Sequence, residues 1–412
     1  MANVFNNVND AAGVLAKAAA MTIADNLQFT KSIAQADASD YDGVNGYSAG
    51  ATIYVSKPAR FVAGTAFDMT STLQDLKEEK VALTLDIISN VGIEVNSLEL
   101  ATTVQLKSLI KRFVQPAAKT IAQDVEARML VKAKNAVANQ VGTAGSTVYD
   151  PDLILSAREK INKYLAPKDD ERYFLHESTA GRGAVGARKG LFQSSEEISK
   201  QYKQGLVGIA DGFNWLENEL LPLHTNGTQA VTGATLSGTA AEGATTLGIT
   251  GTSGGVLKAG TVFTIASVYA VHPITKVTQP FLQQFVVTAD NTAVSTAYTG
   301  VPISPAPYTS TSGGLQNVNR IPTSGDAIVI VSGAISTAYQ TGLAFHKNAF
   351  RMVSVPLVMP TAVEYAAQET YQGITCSVVR AFDVVKRRMI TRLDYLGGIV
   401  ADRPEWACRT IS

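Results

Sequence analysis

The sequence predicts an α+β chain of several domains with an all-β segment inserted in its second half. Three observations carry this. Val81, Leu83, Leu85, Ile87, Val91, Ile93 and Val95 all fall on odd positions, the period of a half-buried strand. Leu106, Ile110, Phe113, Ala117, Ile121, Val125 and Met129 recur at steps of three and four, which is one face of a helix. From 228 to 325 only Glu242, Lys258, Lys276, Asp290 and Arg320 are charged, in a chain that is 17% charged overall.

Composition narrows the function. At 412 residues the chain exceeds one ordinary core, and 46% hydrophobic residues fit a globular protein. Lys plus Arg and Asp plus Glu both number 35, so the formal net charge is zero. Proteins that grip nucleic acid through phosphates carry a basic excess. Any nucleic acid near this chain is therefore enclosed rather than read. Cys376 and Cys408 have no metal-ligand spacing, which suits a reducing cytoplasm. No apolar run reaches the roughly 18 residues of a membrane span. The start, MANVFNNVNDAAGVLAKAAAMT, reads as a weakly amphipathic arm rather than a signal peptide.

Along the chain, residues 1–45 read as an arm that needs a partner to order it. In 46–95, Ala51, Ile53 and Val55 alternate before FDMTSTLQDLKEEK, and the odd-position run comes after it. Together they predict a long two-stranded excursion with a polar tip. Such a hairpin is marginal alone, so it should pack on something, a neighbouring subunit being one candidate. In 96–145, Asn96 and Glu99 have capping-box spacing and predict a helix start. Pro116 either kinks that helix or begins a second one, and Gly142 and Gly145 end it.

Residues 146–227 read as mixed α/β, with a helix from Asp150-Pro151 to about Leu165 and a strand at Tyr173-Phe174-Leu175. In 228–330, TTLGIT, GTVFTIASV and QQFVVTA predict a small barrel or sandwich that folds as its own module. His272, Pro302, Pro305 and Pro307 read as loop features of it. A Gly/Thr-rich linker is the alternative, opposed by buried-type runs such as Phe285-Val286-Val287. Apolar character returns in AIVIVSGAI. Segments 331–385 and 386–412 read as sheet strands, from the alternation of Ile374, Cys376 and Val378 and of Trp406, Cys408 and Thr410. Gly397-Gly398 predicts a turn between those two sets.

Catalytic motifs give nothing. Gly181, Gly183 and Gly186 spell GxGxxG, but four residues separate it from the preceding strand and Gly190 interrupts any helix after it. Arg182, Arg188 and Lys189 beside it could hold phosphate, but a flexible surface loop explains them as well. His176, His224, His272 and His346 have no metal spacing. The acid pairs Asp169-Asp170 and Glu196-Glu197 read as solvated surface, and Tyr202, Phe213 and Trp215 as core. No catalytic, cofactor-binding or metal residue is predicted.

Several stretches resemble the major capsid (coat) proteins of tailed double-stranded DNA bacteriophages. TIYVSKPARFVAGTAFDMTSTLQDLKEEKVALTLD is similar to their extended loop. LAFHKNAFRMVSVPL at 343–357 looks like a late segment, and LDYLGGIVADRPEWACRTI like their closing motif, with Arg403, Pro404 and Glu405 at its centre. VYAVHPITKV and LQQFVVTAD resemble the branch with an inserted β-barrel. The resemblance runs from about residue 46 to the end. It implies the tailed-phage capsid fold: an arm (1–45), an extended loop (46–95), a spine helix and peripheral domain (96–145), an axial domain (146–227 and 331–385) holding the barrel (228–330), and peripheral C-terminal strands (386–412).

It further implies self-assembly into hexamers and pentamers of an icosahedral shell. Scaffolding and portal proteins are implied partners, with a decoration protein as a further one. The shell would enclose double-stranded DNA without sequence-specific contact, touch no membrane, use no cofactor and assemble in the host cytoplasm. The assembly-interface candidates are Lys57, Arg60, Asp75, Lys77, Glu78, Glu79, Lys80, Arg403 and Glu405. An encapsulin-like bacterial compartment protein is the alternative. A nucleotide-binding enzyme using the 181–186 glycines is a third reading.

Overall fold

The computed structural model describes residues 8–36, 47–57, 61, 79–96, 110–146, 151–187, 208–360, 363, 365–385 and 388–412. The chain divides into two compact units: residues 1–56, 80–130 and 350–400, and residues 57–79, 131–349 and 401–412.

The first unit is built on a six-stranded sheet. Its path is β1 (Ala34–Gln35), β20 (Phe350–Ser354), β23 (Arg388–Ala401), β22 (Ile374–Asp383) and β21 (Tyr365–Tyr371), with β4 (Ile87–Asn96) also pairing with β23. Along the excursion, β2 (Thr52–Lys57) pairs with β3 (Glu79–Thr84). The expected single strand from 81 to 95 is instead two, broken at Leu85-Asp86. The odd positions keep facing inward across the break: Leu83, Leu85 and Ile87 are all buried. Period two fixes the face and not the partner. Here β3 pairs with β2, while β4 crosses to β23 from Gly397 back to Arg388. Ile53, Val55, Leu83 and Leu85 share a core with Val353, Val355 and Leu396.

Gly397 and Gly398 lie inside β23, so no turn forms there. They allow close approach. A Cβ on Gly397 would stand 2.8 Å from the Val353 carbonyl oxygen, and one on Gly398 would stand 2.5 Å from that of Thr84.

The arm finds its partner within its own chain. Helix α1 (Val8–Asn26) packs on β21 and β22 and buries Leu15, Ala16, Ala19, Ala20, Ile23 and Ala24. Small alanines let helix and sheet come together. The short helix α2 (Phe29–Ser32) is held by Glu126, whose carboxylate accepts from Phe29 N at 2.6 Å, Gln28 N at 3.0 Å and Thr30 Oγ1 at 2.8 Å. That carboxylate serves the orphan N–H groups at the helix start.

The long helix α3 (Gln115–Ala136) continues directly from a π turn at Ile110–Val114. Strand β4 reaches Asn96, and the helix start predicted from Asn96 and Glu99 falls on residues 97–109, which lie outside the described residues. Ala117, Ile121, Val125 and Met129 are buried as the spacing predicts, but Phe113 is 47% exposed. The wider π turn shifts the phase of the face by the time it reaches Phe113. Pro116, with no N–H to give, falls just after this junction. The helix ends at Ala136, ahead of Gly142 and Gly145.

The second unit holds a six-stranded sheet in the order β5 (Gln140–Val141), β24 (Ala407–Ile411), β19 (Thr341–His346), β6 (Arg172–His176), β8 (Phe213–Glu217) and β7 (Ile209–Ala210). Helix α4 (Pro151–Lys163) lays Ile154, Ala157 and Ile161 on Phe174, Ala344 and Cys408. Phe213 and Trp215 join this core as predicted. Tyr202 lies outside the described residues.

Inserted in this unit is a closed barrel of β10 (Ala234–Leu236), β11 (Thr246–Thr250), β16 (Ala297–Ser304), β14 (Thr278–Val287), β13 (Val262–Val271) and β17 (Ala327–Ile330). The AIVIVSGAI run opens with the last of these strands and closes the barrel against β10 and β13. Phe263 and Phe285 stack at 5.9 Å in its core, beside Tyr298, Val301 and Ile328. A small pair, β12 (Val256–Leu257) with β15 (Asn291–Thr292), flanks it. At the neck, β9 (His224–Thr225) pairs antiparallel with β18 (Ala338–Tyr339). Pro302 sits in β16 opposite Thr246 rather than in a loop.

Candidate assembly elements and the barrel seat

The predicted interface residues fall in two places. On the excursion, Lys57 ends β2 half-buried, Glu79 begins β3, and Lys80 is exposed beside it. Arg60, Asp75, Lys77 and Glu78 lie outside the described residues. The second place is the closing turn. The Arg403 guanidinium lies 4.4 Å from the centre of the Trp406 ring, and Arg403 N donates to the Ala349 carbonyl at 3.1 Å. The Glu405 carbonyl accepts from Asn139 Nδ2 at 3.1 Å. Both residues are half-buried, and these contacts fasten the turn to its own chain.

Sequence reasoning missed the seat of the barrel. Gln284, on β14, pairs with the backbone of Gln140: Gln140 N donates to Gln284 Oε1 at 2.9 Å, and Gln284 Nε2 donates to the Gln140 carbonyl at 3.1 Å. Lys160 Nζ, from α4, reaches the same Oε1 at 2.6 Å. The Tyr164 hydroxyl donates to Gln283 Oε1 at 3.2 Å. Lys160 and Lys163 each place Nζ 5.0 Å over the Phe281 ring.

Behind this seat lies buried positive charge. Arg409, fully buried, donates from Nη2 to Gln140 Oε1 at 2.9 Å. Lys134 Nζ donates to the Leu223 carbonyl at 3.1 Å. Burial, with Arg409 nearby, pushes the Lys134 ammonium down to about 8. Burial also pushes Arg409 down to about 10 and lowers Lys160. His224, desolvated and facing Arg409 and Lys134, is driven down to about 3 and stays neutral. It pairs through Nε2 with Asn226 Oδ1 at 2.9 Å, and Asn226 donates to the carbonyls of Ser332 and Ala334. Neutral amides and carbonyls thus receive these cations.

The other polar cluster joins Asp169, Glu171 and His346. Asp169 is exposed, as its sequence setting predicts, and buried His346 reaches its carboxylate at 3.1 Å. Desolvation raises the Asp169 carboxyl, but His346 and the backbone N–H groups of Glu171 and Asp169 together outweigh it and hold the group below its usual range. His346 Nδ1 accepts from Asn348 N at 3.2 Å, which leaves Nε2 as the protonated nitrogen. Lys347 Nζ takes Glu171 Oε1 at 2.6 Å. A cation on Nε2 would need the proton removed while Nδ1 still accepts, so the ring is set for hydrogen bonding. The GxGxxG glycines lie within helix α5 (Ser178–Ala187), with Gly181 against the His176 ring, and form no phosphate loop. Among the described residues no helix is long and apolar enough to cross a membrane.

A family model matches nearly the whole length, residues 5–410. The match defines the class of protein: a structural subunit of a phage capsid. The chain belongs to the P22 coat protein family, described as gene protein 5. No curated protein matches it. Among solved structures it is similar to Mycobacterium phage Che8 (12% identity, 93% of this chain and 90% of that one, TM-score 0.44). It is also similar to the capsid structure of cyanophage P-SCSP1u (12%, 93% and 87%, TM-score 0.42). The CUS-3 coat protein I-domain is 32% identical over 24% of this chain and 93% of its own, with a TM-score of 0.19. The family assignment rests on the family model.

Proposed function

We propose that this capsid protein closes, as hexamers and pentamers of itself, into an icosahedral shell around double-stranded DNA, assembled in the host cytoplasm with scaffolding and portal proteins. A decoration protein is a further partner of the finished shell. The subunit acts by contact, not by catalysis. The proposed division of labour gives each segment one role: an arm, an extended loop, a spine with peripheral strands, and an axial domain carrying the barrel.

The observation that carries this reading is the excursion. β2 and β3 bury one face on their own unit and leave the other outward, with Tyr54 62% exposed. Such a surface suits burial between copies, where obligate interfaces run to ~2,000 Å² or more. Lys57, Arg60, Asp75, Lys77, Glu78, Glu79 and Lys80 would set register there more than affinity. Arg403 and Glu405 would act by holding the closing turn. The test is electron microscopy of purified material. Hollow particles of hundreds of subunits support the reading. A sharp small-oligomer peak at every concentration, with and without scaffold, overturns it. Deleting residues 66–80 should leave a folded subunit that assembles poorly; normal shells from that deletion would remove the loop from the account.

A further inference from the structure

Strand β5 is an edge of the second unit's sheet. It runs parallel to β24, and Arg409 N donates to the Asn139 carbonyl at 2.8 Å. In a parallel ladder alternate residues turn their backbone groups to opposite sides. The N–H and C=O of Gln140 therefore face away from the sheet. Open groups of this kind are a template on which another strand can pair. Here one side chain takes both. A primary amide offers an acceptor and a donor side by side, as the peptide groups of a neighbouring strand do. The Gln284 amide meets Gln140 N and O at 2.9 and 3.1 Å in that sense.

Three further contacts fix the arrangement. Lys160 Nζ adds a charged hydrogen bond to Gln284 Oε1 at 2.6 Å. The Gln140 side chain bridges the other way, donating to the Val331 carbonyl at 2.8 Å and accepting from Arg409 at 2.9 Å. Val331 comes directly after the last barrel strand, so Gln140 is bonded to the barrel segment at two points. The apolar contact beside them is small, comprising Ala138, Val262, Val286 and Val331.

We infer that the Gln140–Gln284 amide pair is a latch: it seats the barrel and closes the β5 edge against strand pairing with a second copy of this chain. Gln284 is a positioning residue that stands in for a strand. Lys160 holds the amide in the sense that offers Oε1 to Gln140 N. Without the latch, the barrel keeps its own core but the edge opens.

The test uses unassembled full-chain subunits and hydrogen-exchange mass spectrometry of a peptide spanning 137–142. Gln284→Leu keeps the volume and removes both bonds. Exchange of the Gln140 amide should speed up about tenfold or more, while peptides across 262–265 stay protected. Light scattering should rise with concentration as open edges meet. Gln284→Glu keeps an acceptor for Gln140 N and for Lys160, so protection at Gln140 should stay within about threefold of the parent. Parent-like exchange in Gln284→Leu overturns the inference. Should Gln284→Leu fail to fold, Gln284→Glu decides: retained protection supports the latch, and a tenfold loss overturns it.

Discussion

The barrel and the excursion are both made of alternating strands, yet they end differently. Each barrel strand has a neighbour on both sides, and side chains such as Phe263, Phe285 and Tyr298 meet in one interior. The excursion has two strands, one buried face and one open face. Their local periods are alike: β2 and β11 both alternate buried with more exposed positions. Closure is the difference. A closed barrel needs nothing from a neighbour to satisfy its backbone, whereas a two-stranded ribbon is stable only on a support. One region is built to be complete, the other to be completed.

The largest effect should come from the closed region. Phe285→Ala removes a fully buried ring stacked on Phe263. The expected cost is about 4 kcal/mol. The barrel's thermal transition should drop steeply while protection of β2 and β3 is unchanged. Loss of both together would mean that the barrel is not a separate cooperative module. Expressed alone, residues 228–330 should melt cooperatively.

Next in size is the cationic seat. Lys134 titrates at about 8 folded, against 10.5 for the free side chain. The unfolded chain thus binds the proton more tightly, and folding is opposed below about pH 8. The penalty fades as pH rises from there towards 10.5. Lys134→Met should raise stability at pH 7 by up to about 3 kcal/mol, less the value of the lost bond to the Leu223 carbonyl. The difference between the two proteins should shrink across that window in chemical denaturation. A difference that holds constant with pH would show that the charge is not the cause.

Glu126→Ala strips the acceptors from the start of α2, at an expected cost of about 2 kcal/mol. Proteolysis should then nick the 8–36 segment first. The smallest effect on the subunit belongs to the open region. Tyr54→Ser on the outer face of β2 should change subunit stability by less than about 0.5 kcal/mol. It should lower assembly yield, and a large fall in subunit melting temperature would place Tyr54 inside the fold instead.

What the sequence made legible was whatever depends on period and composition. The odd-position run, the helix face from Ala117 to Met129 and the charge-poor barrel all lie where the pattern puts them. What it hid depends on partners distant along the chain. Nothing local to 81–95 says that the strand changes neighbour at Leu85. Gly397-Gly398 has the composition of a turn, and only the approach of Val353 and Thr84 explains its place within a strand. Asp169 is exposed as its sequence setting suggests, and only its bond to His346, far off in the chain, was hidden. Gln284 looks like an ordinary polar strand residue, since its role exists only where β5 meets β14. The glycines of 181–186 mislead in the opposite sense, a motif without the loop that gives it meaning.

The neck of the barrel has one more consequence. Thr225 and Ala338 are direct partners in the β9–β18 pair, so the chain departs and returns at adjacent points. In chain entropy the long stretch between them costs little more than a short one, because the cost of closing a loop grows only slowly with its length. The barrel therefore occupies a socket. A foreign domain displayed from this pair would need two ends a strand's width apart and, facing Gln140 and Lys160, polar groups that replace the Gln284 amide and the Val331 carbonyl.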